Sequence, residues 1–190
     1  MGKLIATINM TADGFCHHED AIADEDLLEY YNDLVRQADI VLFGKTTFKM
    51  FEEYWPAVAK NASGSNEEVE FAKLIDHAKK IVFTTTLQEV HWKNSSIVSE
   101  NIPEEVTRLK ESNQDMFLIG SPGLISSFLN MGLIDEFRIC VQPLLAGNNR
   151  HLFEIKNLQT RTKLQLVGTK HFDSGVFALH YNCNPDESED

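Results

Sequence analysis

What this chain lacks narrows its possibilities. It holds three cysteines in 190 residues, Cys16, Cys140 and Cys183, with no Cys-x-x-Cys pair. So sparse and odd a set excludes a disulfide framework and points to a reducing compartment. No apolar run approaches the roughly 20 residues needed to cross a bilayer. The opening Met1-Gly2-Lys3-Leu4-Ile5-Ala6-Thr7-Ile8 has no long apolar stretch before a small-residue cleavage site, so a signal peptide is not expected. Positive charge is scarce: 17 Lys and Arg stand against 29 Asp and Glu, a formal charge of −12. A general nucleic-acid or anionic-membrane binder needs a basic face, and this composition argues against one. The expectation is a soluble, cytoplasmic protein that binds neither nucleic acid nor membrane. Part of the acidity lies in Asp186-Glu187-Ser188-Glu189-Asp190. Residues 184–190 are expected to form a disordered acidic tail behind a single domain, 1–183.

Familiar catalytic signatures are missing too. There is no Gly-x-x-x-x-Gly-Lys-Ser/Thr and no Gly-x-Gly-x-x-Gly, so neither a P-loop nor a Rossmann fingerprint is present. No Gly-x-Ser-x-Gly elbow supports a serine hydrolase. His17-x-Glu19 resembles half of a zinc-deaminase motif, but no Pro-Cys-x-x-Cys completes it. No metal is expected.

What is present is an alternation of short apolar runs and helical periodicities. Leu4–Ile8, Ile40–Phe43, Lys80–Thr84 and Asp115–Ile119 read as strands. Helical spacing runs from about Asp24 to Gln37, from Thr46 to about Tyr54 (broken before Pro56), from Val69 to Ile75 and near Pro103–Glu111. Ser121 and Pro122 read as the N-cap and first residue of a helix to about Met131. The last third is β-rich: Glu136–Gln142, Lys163–Thr169 and Val176–Tyr181, with Asp173-Ser174-Gly175 as a hairpin turn. The fold class is α/β, with a sheet parallel at first and antiparallel at its end.

Three strands run into small or hydroxyl residues: Phe43-Gly44-Lys45-Thr46-Thr47, Phe83-Thr84-Thr85-Thr86 and Ile119-Gly120-Ser121-Pro122-Gly123. Glycine lets backbone approach a phosphate, hydroxyls donate to it, lysine neutralises it, and helix N-termini add free N–H groups. Three such turns in one domain suggest an extended dinucleotide.

These turns, with Ala6–Phe15, Tyr54-Trp55-Pro56, Leu133–Ile139 and Gln142–Gly147, resemble the successive blocks of the dihydrofolate reductase-like superfamily. The likeness is greatest to its branch with the reductase domain of riboflavin-pathway deaminase-reductases, and runs in order from about residue 3 to 182. It implies a three-layer α/β/α fold and NADPH as cofactor. Gly44, Lys45, Thr46 and Thr47 would hold cofactor phosphates, Lys45 standing where the family usually has arginine near the 2′-phosphate. Thr84 and Thr85 would lie by the adenosine ribose. Gly120, Ser121, Gly123, Leu124 and Ile125 would line the pyrophosphate and nicotinamide side, and Ala6, Gly14 and Phe15 would border the nicotinamide. The family often has two glycines where this chain has Gly120-Ser121. The resemblance also implies a pyrimidine or pterin-like substrate, such as 5-amino-6-(5-phosphoribosylamino)uracil, and a homodimer built on the β-rich end.

A reductase of this type needs a proton source, which a carboxylic acid in an apolar pocket supplies. In dihydrofolate reductase that acid opens the first helix; the similar stretch is Ala23-Asp24-Glu25-Asp26-Leu27. Asp24, Asp26 and, in the loop after the first strand, Asp13 are the candidates, and the sequence leaves the choice open. For a substrate phosphate the cationic candidates are Arg138, Arg150 and Lys170. Two other readings stay open: an NADPH-binding regulatory protein without catalysis, and a reductase of dihydrofolate or another small carbonyl compound.

Overall fold

Alternate residues of the first strand, β1 (Leu4–Thr11), face opposite ways. Leu4, Ala6 and Ile8 enter one hydrophobic core while Ile5 packs against another. That split runs through the whole molecule: a single sheet is covered on both faces. The computed structural model describes residues 1–22, 24–147, 158, 159 and 161–184. The acidic tail beyond Asn184 and the candidate Arg150 lie outside the described residues.

After β1 come helix α1 (Glu25–Gln37), β2 (Ile40–Gly44), α2 (Lys45–Asn61), α3 (Asn66–His77), β3 (Lys79–Phe83) and β4 (Ser95–Val98). Then follow α4 (Ile102–Glu111), β5 (Met116–Ile119), α5 (Pro122–Asn130), β6 (Glu136–Gln142), β7 (Gln165–His171) and β8 (Phe177–Asn182). The sheet order is β4-β3-β2-β5-β1-β6-β8-β7. The pairs from β4 through to β6 are parallel, and β6–β8 and β7–β8 are antiparallel. The mixed three-layer fold expected from the sequence is the one observed.

The helices divide by face. Leu34 and Val35 of α1, Phe48 of α2 and Phe71 and Ile75 of α3 pack on Val41, Phe43, Val82 and Phe117. Val106 and Leu109 of α4 and Ile125, Phe128 and Leu129 of α5 pack on Leu42, Ile81, Leu118 and Phe137. The chain steps outward from β1 to β2, β3 and β4, then returns through β5, which inserts between β2 and β1. Beside that reversal, β2 feeds a helix on one face and β5 a helix on the other. In open α/β sheets a crevice opens at such a point, beyond the carboxyl ends of the strands.

Two boundaries and one cap differ from the sequence reading. β1 continues to Thr11 because it pairs with β6 as far as Thr11↔Gln142, although Asn9 and Thr11 break the apolar pattern. Helix α2 runs through Pro56 to Asn61 rather than stopping before it. A helix-interior proline forfeits one backbone bond and crowds the previous turn. Aromatic packing offsets that cost: Trp55 meets Phe71 edge-on at 4.7 Å between ring centroids, and Phe51 meets Phe43 at 5.3 Å. Trp55 is thus held by the core, whereas Tyr54 is exposed. Finally, Ser121 precedes α5 as expected but does not cap it, for reasons that belong to the site.

Aspartates close the opposite end of the sheet, where the parallel strands begin. Asp115 accepts the Lys3 N–H at 2.8 Å, Asp39 the Asp115 N–H at 2.8 Å and Asp135 the Leu4 N–H at 2.7 Å. Asp135 also pairs with Lys110, which is 8% exposed and donates to the Leu133 carbonyl. Removing one partner of a buried pair leaves the other charge uncompensated. Asp135→Ala should therefore cost about 2 kcal/mol of stability in urea unfolding, the figure reduced from the fully buried case because Asp135 is partly exposed. A loss within about 0.5 kcal/mol, that of an ordinary surface substitution, would mean that Lys110 finds its partner elsewhere.

Candidate functional site

The carboxyl ends of β2 and β5 touch. A Cβ built on Gly44 would collide with the Oγ and Cβ of Ser121, and one built on Gly120 would stand 3.6 Å from Thr47 Oγ1. The strands are neighbours, and each turns at once into a helix on the opposite face, so the two turns lie back to back. No side chain fits at position 44. Gly120 and Ser121 both adopt left-handed backbone, at φ 57° and 60°. This swings the chain sharply from β5 into α5 and aims the Ser121 side chain at Gly44 rather than at the first turn of its own helix. That is why Ser121 is no cap.

The proposed phosphate turns are thereby brought together. Lys45 and Thr46 are exposed at the head of α2, and Thr47 is half-buried beside Gly120. The Lys45 ammonium donates to the Thr86 hydroxyl at 3.0 Å, which draws in the turn after β3. Within that turn, Thr84 Oγ1 accepts from the Thr86 and Leu87 N–H groups at 3.2 Å each, and Thr85 is exposed. Gly123 is exposed and Leu124 half-buried, whereas Ile125 and Ala6 are wholly inside the core of the α4–α5 face. Their side chains therefore do not reach the open end.

On the far side of β5, the turn after β1 folds against the loop after β6. Thr11 N–H donates to the Phe15 carbonyl, Gly14 (φ 89°) bonds back to Thr11, and Phe15 is buried. Asp13 accepts from the Thr11 hydroxyl at 2.6 Å and from the Ala146 and Gly147 N–H groups at 3.1 and 2.9 Å. These donors, the Thr11 hydroxyl foremost, pull its pKa down to about 2. Such a carboxylate stays ionised and serves as a clasp between two loops; it is poorly suited to donating a proton near neutrality.

The other two candidates differ sharply. Asp26 is exposed in the first turn of α1. Asp24 is the N-cap: Oδ1 accepts the Leu27 N–H at 2.6 Å, while Oδ2 is buried with no hydrogen-bond partner. Leu27, one turn on, packs on Cys140, Phe172, Val176 and Ala178. Asp24 therefore places one carboxylate oxygen out of solvent at the head of α1.

Between α1 and β1 lies a set of polar groups that the sequence reading passed over. Thr7 is 2% exposed and its hydroxyl is unpaired. Asn9 Oδ1 accepts from the Tyr31 hydroxyl at 2.9 Å and from Gln142 Nε2 at 3.1 Å. Gln142 Oε1 accepts the Ile22 N–H at 2.9 Å. Burial pushes the Tyr31 phenol well above its ordinary pKa and the Cys140 thiol up to about 11, so both stay protonated. The available signal was the polar Thr7, Asn9 and Thr11, at alternate positions of one strand.

Two of the candidate phosphate cations, Arg138 and Lys170, are otherwise engaged. Arg138 donates to Glu136 at 3.2 Å and to the Tyr30 hydroxyl at 3.3 Å, and Lys170 lies 5.0 Å over the Phe172 ring. Cys140 and Cys183 are buried thiols, and among the described residues no group of His, Cys, Asp and Glu gathers to hold a metal ion. No helix among them is long and apolar enough to cross a membrane.

Residues 2–178 match the RibD C-terminal domain family, and the chain belongs to it. It is 32% identical over 186 residues to the uncharacterized protein YyaP of Bacillus subtilis (strain 168), covering 96% of this chain and 95% of that one. Its fold is similar to the diaminohydroxyphosphoribosylaminopyrimidine deaminase/5-amino-6-(5-phosphoribosylamino)uracil reductase of Thermotoga maritima. There the TM-score is 0.66 at 15% identity, over 96% of this chain and 56% of that one. It is also similar to the dihydrofolate reductase of Enterococcus faecalis solved with NADP(H), with a TM-score of 0.61 at 11% identity over 96% and 97% of the two chains.

The contact between the turns makes a mechanical test. Gly44→Ala should destabilise the protein by about 2 kcal/mol through overpacking against Ser121. Ser121→Gly should add about 1 kcal/mol by relieving left-handed strain, and should absorb most of the Gly44→Ala penalty in the double variant. Additive effects in thermal or urea unfolding would mean that the two turns do not bear on each other.

Proposed function

We propose that this protein is an NADPH-dependent reductase of the riboflavin-pathway type, acting on a pyrimidine or pterin-like heterocycle. The observation that carries the reading is the back-to-back packing of the Gly44 and Gly120-Ser121 turns at the reversal of strand order. Two helix N-termini, brought side by side because Gly44 leaves room for Ser121, present backbone N–H groups that phosphate oxygens can approach. The residues fit a dinucleotide phosphate: Lys45 neutralises the charge, the Thr46, Thr47 and Thr84–Thr86 hydroxyls donate, and the overall −12 charge is countered only locally. Bound nicotinamide would supply the hydride. The chain's own part is to bind, orient and exclude water, with the buried, unpaired Oδ2 of Asp24 as the carboxylate oxygen that meets the substrate. Asp13 serves as the loop clasp and Asp26 as a macrodipole partner at the head of α1.

Titration with NADPH and NADH tests the reading. NADPH should bind more tightly, and Lys45→Ala should weaken it about tenfold while changing NADH little, the loss of one exposed charge-assisted contact. Lysine lacks arginine's planar fork, so the preference for NADPH is expected to be modest. Asp24→Asn should leave nucleotide affinity intact and suppress substrate-dependent NADPH oxidation at least 100-fold. Binding without turnover, unchanged in Asp24→Asn, would favour the regulatory reading; no binding of either nucleotide would remove the function altogether.

The same proposal includes a symmetric dimer through the β-rich end. β7 is the edge strand and leaves Leu166 and Val167 more than half exposed. Symmetric dimers are the commonest soluble oligomers. Sedimentation should give twice the chain mass at micromolar concentration, and Leu166→Lys with Val167→Lys should halve it. A wild-type monomer under those conditions would count against the interface.

A further inference from the structure

The Asn9 side chain is held in one orientation by a chain of bonds that begins at a backbone group. The Ile22 N–H can only donate, so the Gln142 atom that meets it is the oxygen. Gln142 therefore presents its nitrogen to Asn9, and the Asn9 atom that receives it must be Oδ1. The Tyr31 hydroxyl, which stays protonated, donates to the same oxygen. Flipping the Asn9 amide would set donor against donor at Gln142. Asn9 Nδ2 is thus a donor by construction, and among the described residues nothing accepts from it. Asn9 is half-buried, at the carboxyl-terminal half of β1 beside the cofactor turns.

Two further polar atoms on the α1 side of the sheet lack partners. Thr7, two residues back on the same face of β1, has a buried, unpaired hydroxyl, although the Tyr31 side chain lies beside it. Asp24 Oδ2, at the head of α1, is buried and unpaired. An unmet buried polar group costs about 1–3 kcal/mol, so native structures seldom leave such groups without use. Here they comprise a fixed donor, an acceptor and a hydroxyl able to act as either. We propose that Asn9 is a specificity-determining residue of the substrate site, its fixed Nδ2 donating to the carbonyl of a lactam. This rests on the reductase reading for its cofactor half, but its geometry is independent of the nucleotide. An amine at the carbonyl's position would face the Asn9 donor and be rejected, because a site built around one hydrogen-bond polarity discriminates strongly against the other.

The test uses the full chain and one bicyclic lactam, quinazoline-2,4-dione, titrated by calorimetry with and without saturating NADP+. The informative variant is Asn9→Asp. It keeps the shape and an oxygen for Tyr31 and Gln142, but replaces the donor with an acceptor. Asn9→Asp should bind the lactam at least 30-fold more weakly than wild type while its melting temperature and NADP+ affinity stay nearly unchanged. Asn9→Ser, which removes the amide without reversing polarity, should lose less. Equal lactam affinity in wild type and Asn9→Asp would overturn the proposal, as would no lactam binding by wild type that binds NADP+; the reductase reading would survive both. Asn9-dependent lactam binding by a protein that binds neither NADPH nor NADH would uphold the proposal and remove the reductase reading.

Discussion

The contact between the turns after β2 and β5 is the constraint on which the rest of the architecture depends. Two adjacent parallel strands end at the same level and must send helices to opposite faces of the sheet. Their first helical residues therefore start within a side chain's width of each other, and only a residue without a Cβ can stand at position 44. Given that, α2 is committed to the face it shares with α1 and α3, and α5 to the face it shares with α4. β1 then lies next to β5 as the central strand, with the Gly44 and Gly120 turns on one side and the β6 loop on the other. Ser121 carries the strain. Its left-handed backbone is a conformation that non-glycine residues adopt at a cost of roughly 1–2 kcal/mol, and the packing of α5 on the core holds it there.

β1 itself is divided in character. One of its faces, Leu4, Ala6 and Ile8, is uniformly apolar and joins the α4–α5 core. The other begins with Ile5 and continues with Thr7, Asn9 and Thr11, of which Thr7 and Thr11 are almost wholly buried. A strand buried on both faces is ordinarily apolar throughout. Three polar residues in the middle of such a sheet break that local rule, and breaches of this kind concentrate at functional sites. The Tyr31 hydroxyl, Gln142 and the Ile22 N–H satisfy part of that polarity; the Thr7 hydroxyl stays unmet, as does one oxygen of Asp24 at the head of α1.

The same residues explain what could and could not be read from the sequence. The strand–helix alternation, the antiparallel finish and the three turn motifs follow local rules, so periodicity and turn chemistry found them. Asn9 and Thr11 look like the start of a loop because their partners, Cys140 and Gln142 of β6, are about 130 positions away in the chain. Pro56 reads as a stop because the aromatic packing that tolerates it depends on Phe71 in the next helix. Ser121-Pro122 has the composition of a cap, yet what decides the serine's direction is Gly44, on another strand. Asp13, Asp24 and Asp26 are equivalent as letters. They separate only when tertiary contacts are counted: a carboxylate held by three donors, one with a buried idle oxygen, and one exposed.

In an acidic protein these placements also govern how an anion could be held. A formal charge of −12 repels a polyanion at long range, but that field is screened over about 8 Å at physiological ionic strength. Within that distance the relevant charges are Lys45 and the exposed N–H groups at the heads of α2 and α5. Asp13 is permanently negative, but its charge is turned onto the Thr11 hydroxyl and the Ala146 and Gly147 amides. Its clasp closes the β1 and β6 loops together, and Gln142, at the end of β6, ties the Ile22 segment to Asn9. The proposed substrate side is therefore built on the β1–β6 pair and the proposed cofactor side on the β2–β5 pair. β1 borders both β5 and β6, and the Gly120 N–H donates to the Thr7 carbonyl. The left-handed turn and the polar face of β1 thus share a backbone hydrogen bond. A displacement of either is felt directly by the other, so a cofactor seated on the turn and a heterocycle seated on Asn9 would meet across one strand.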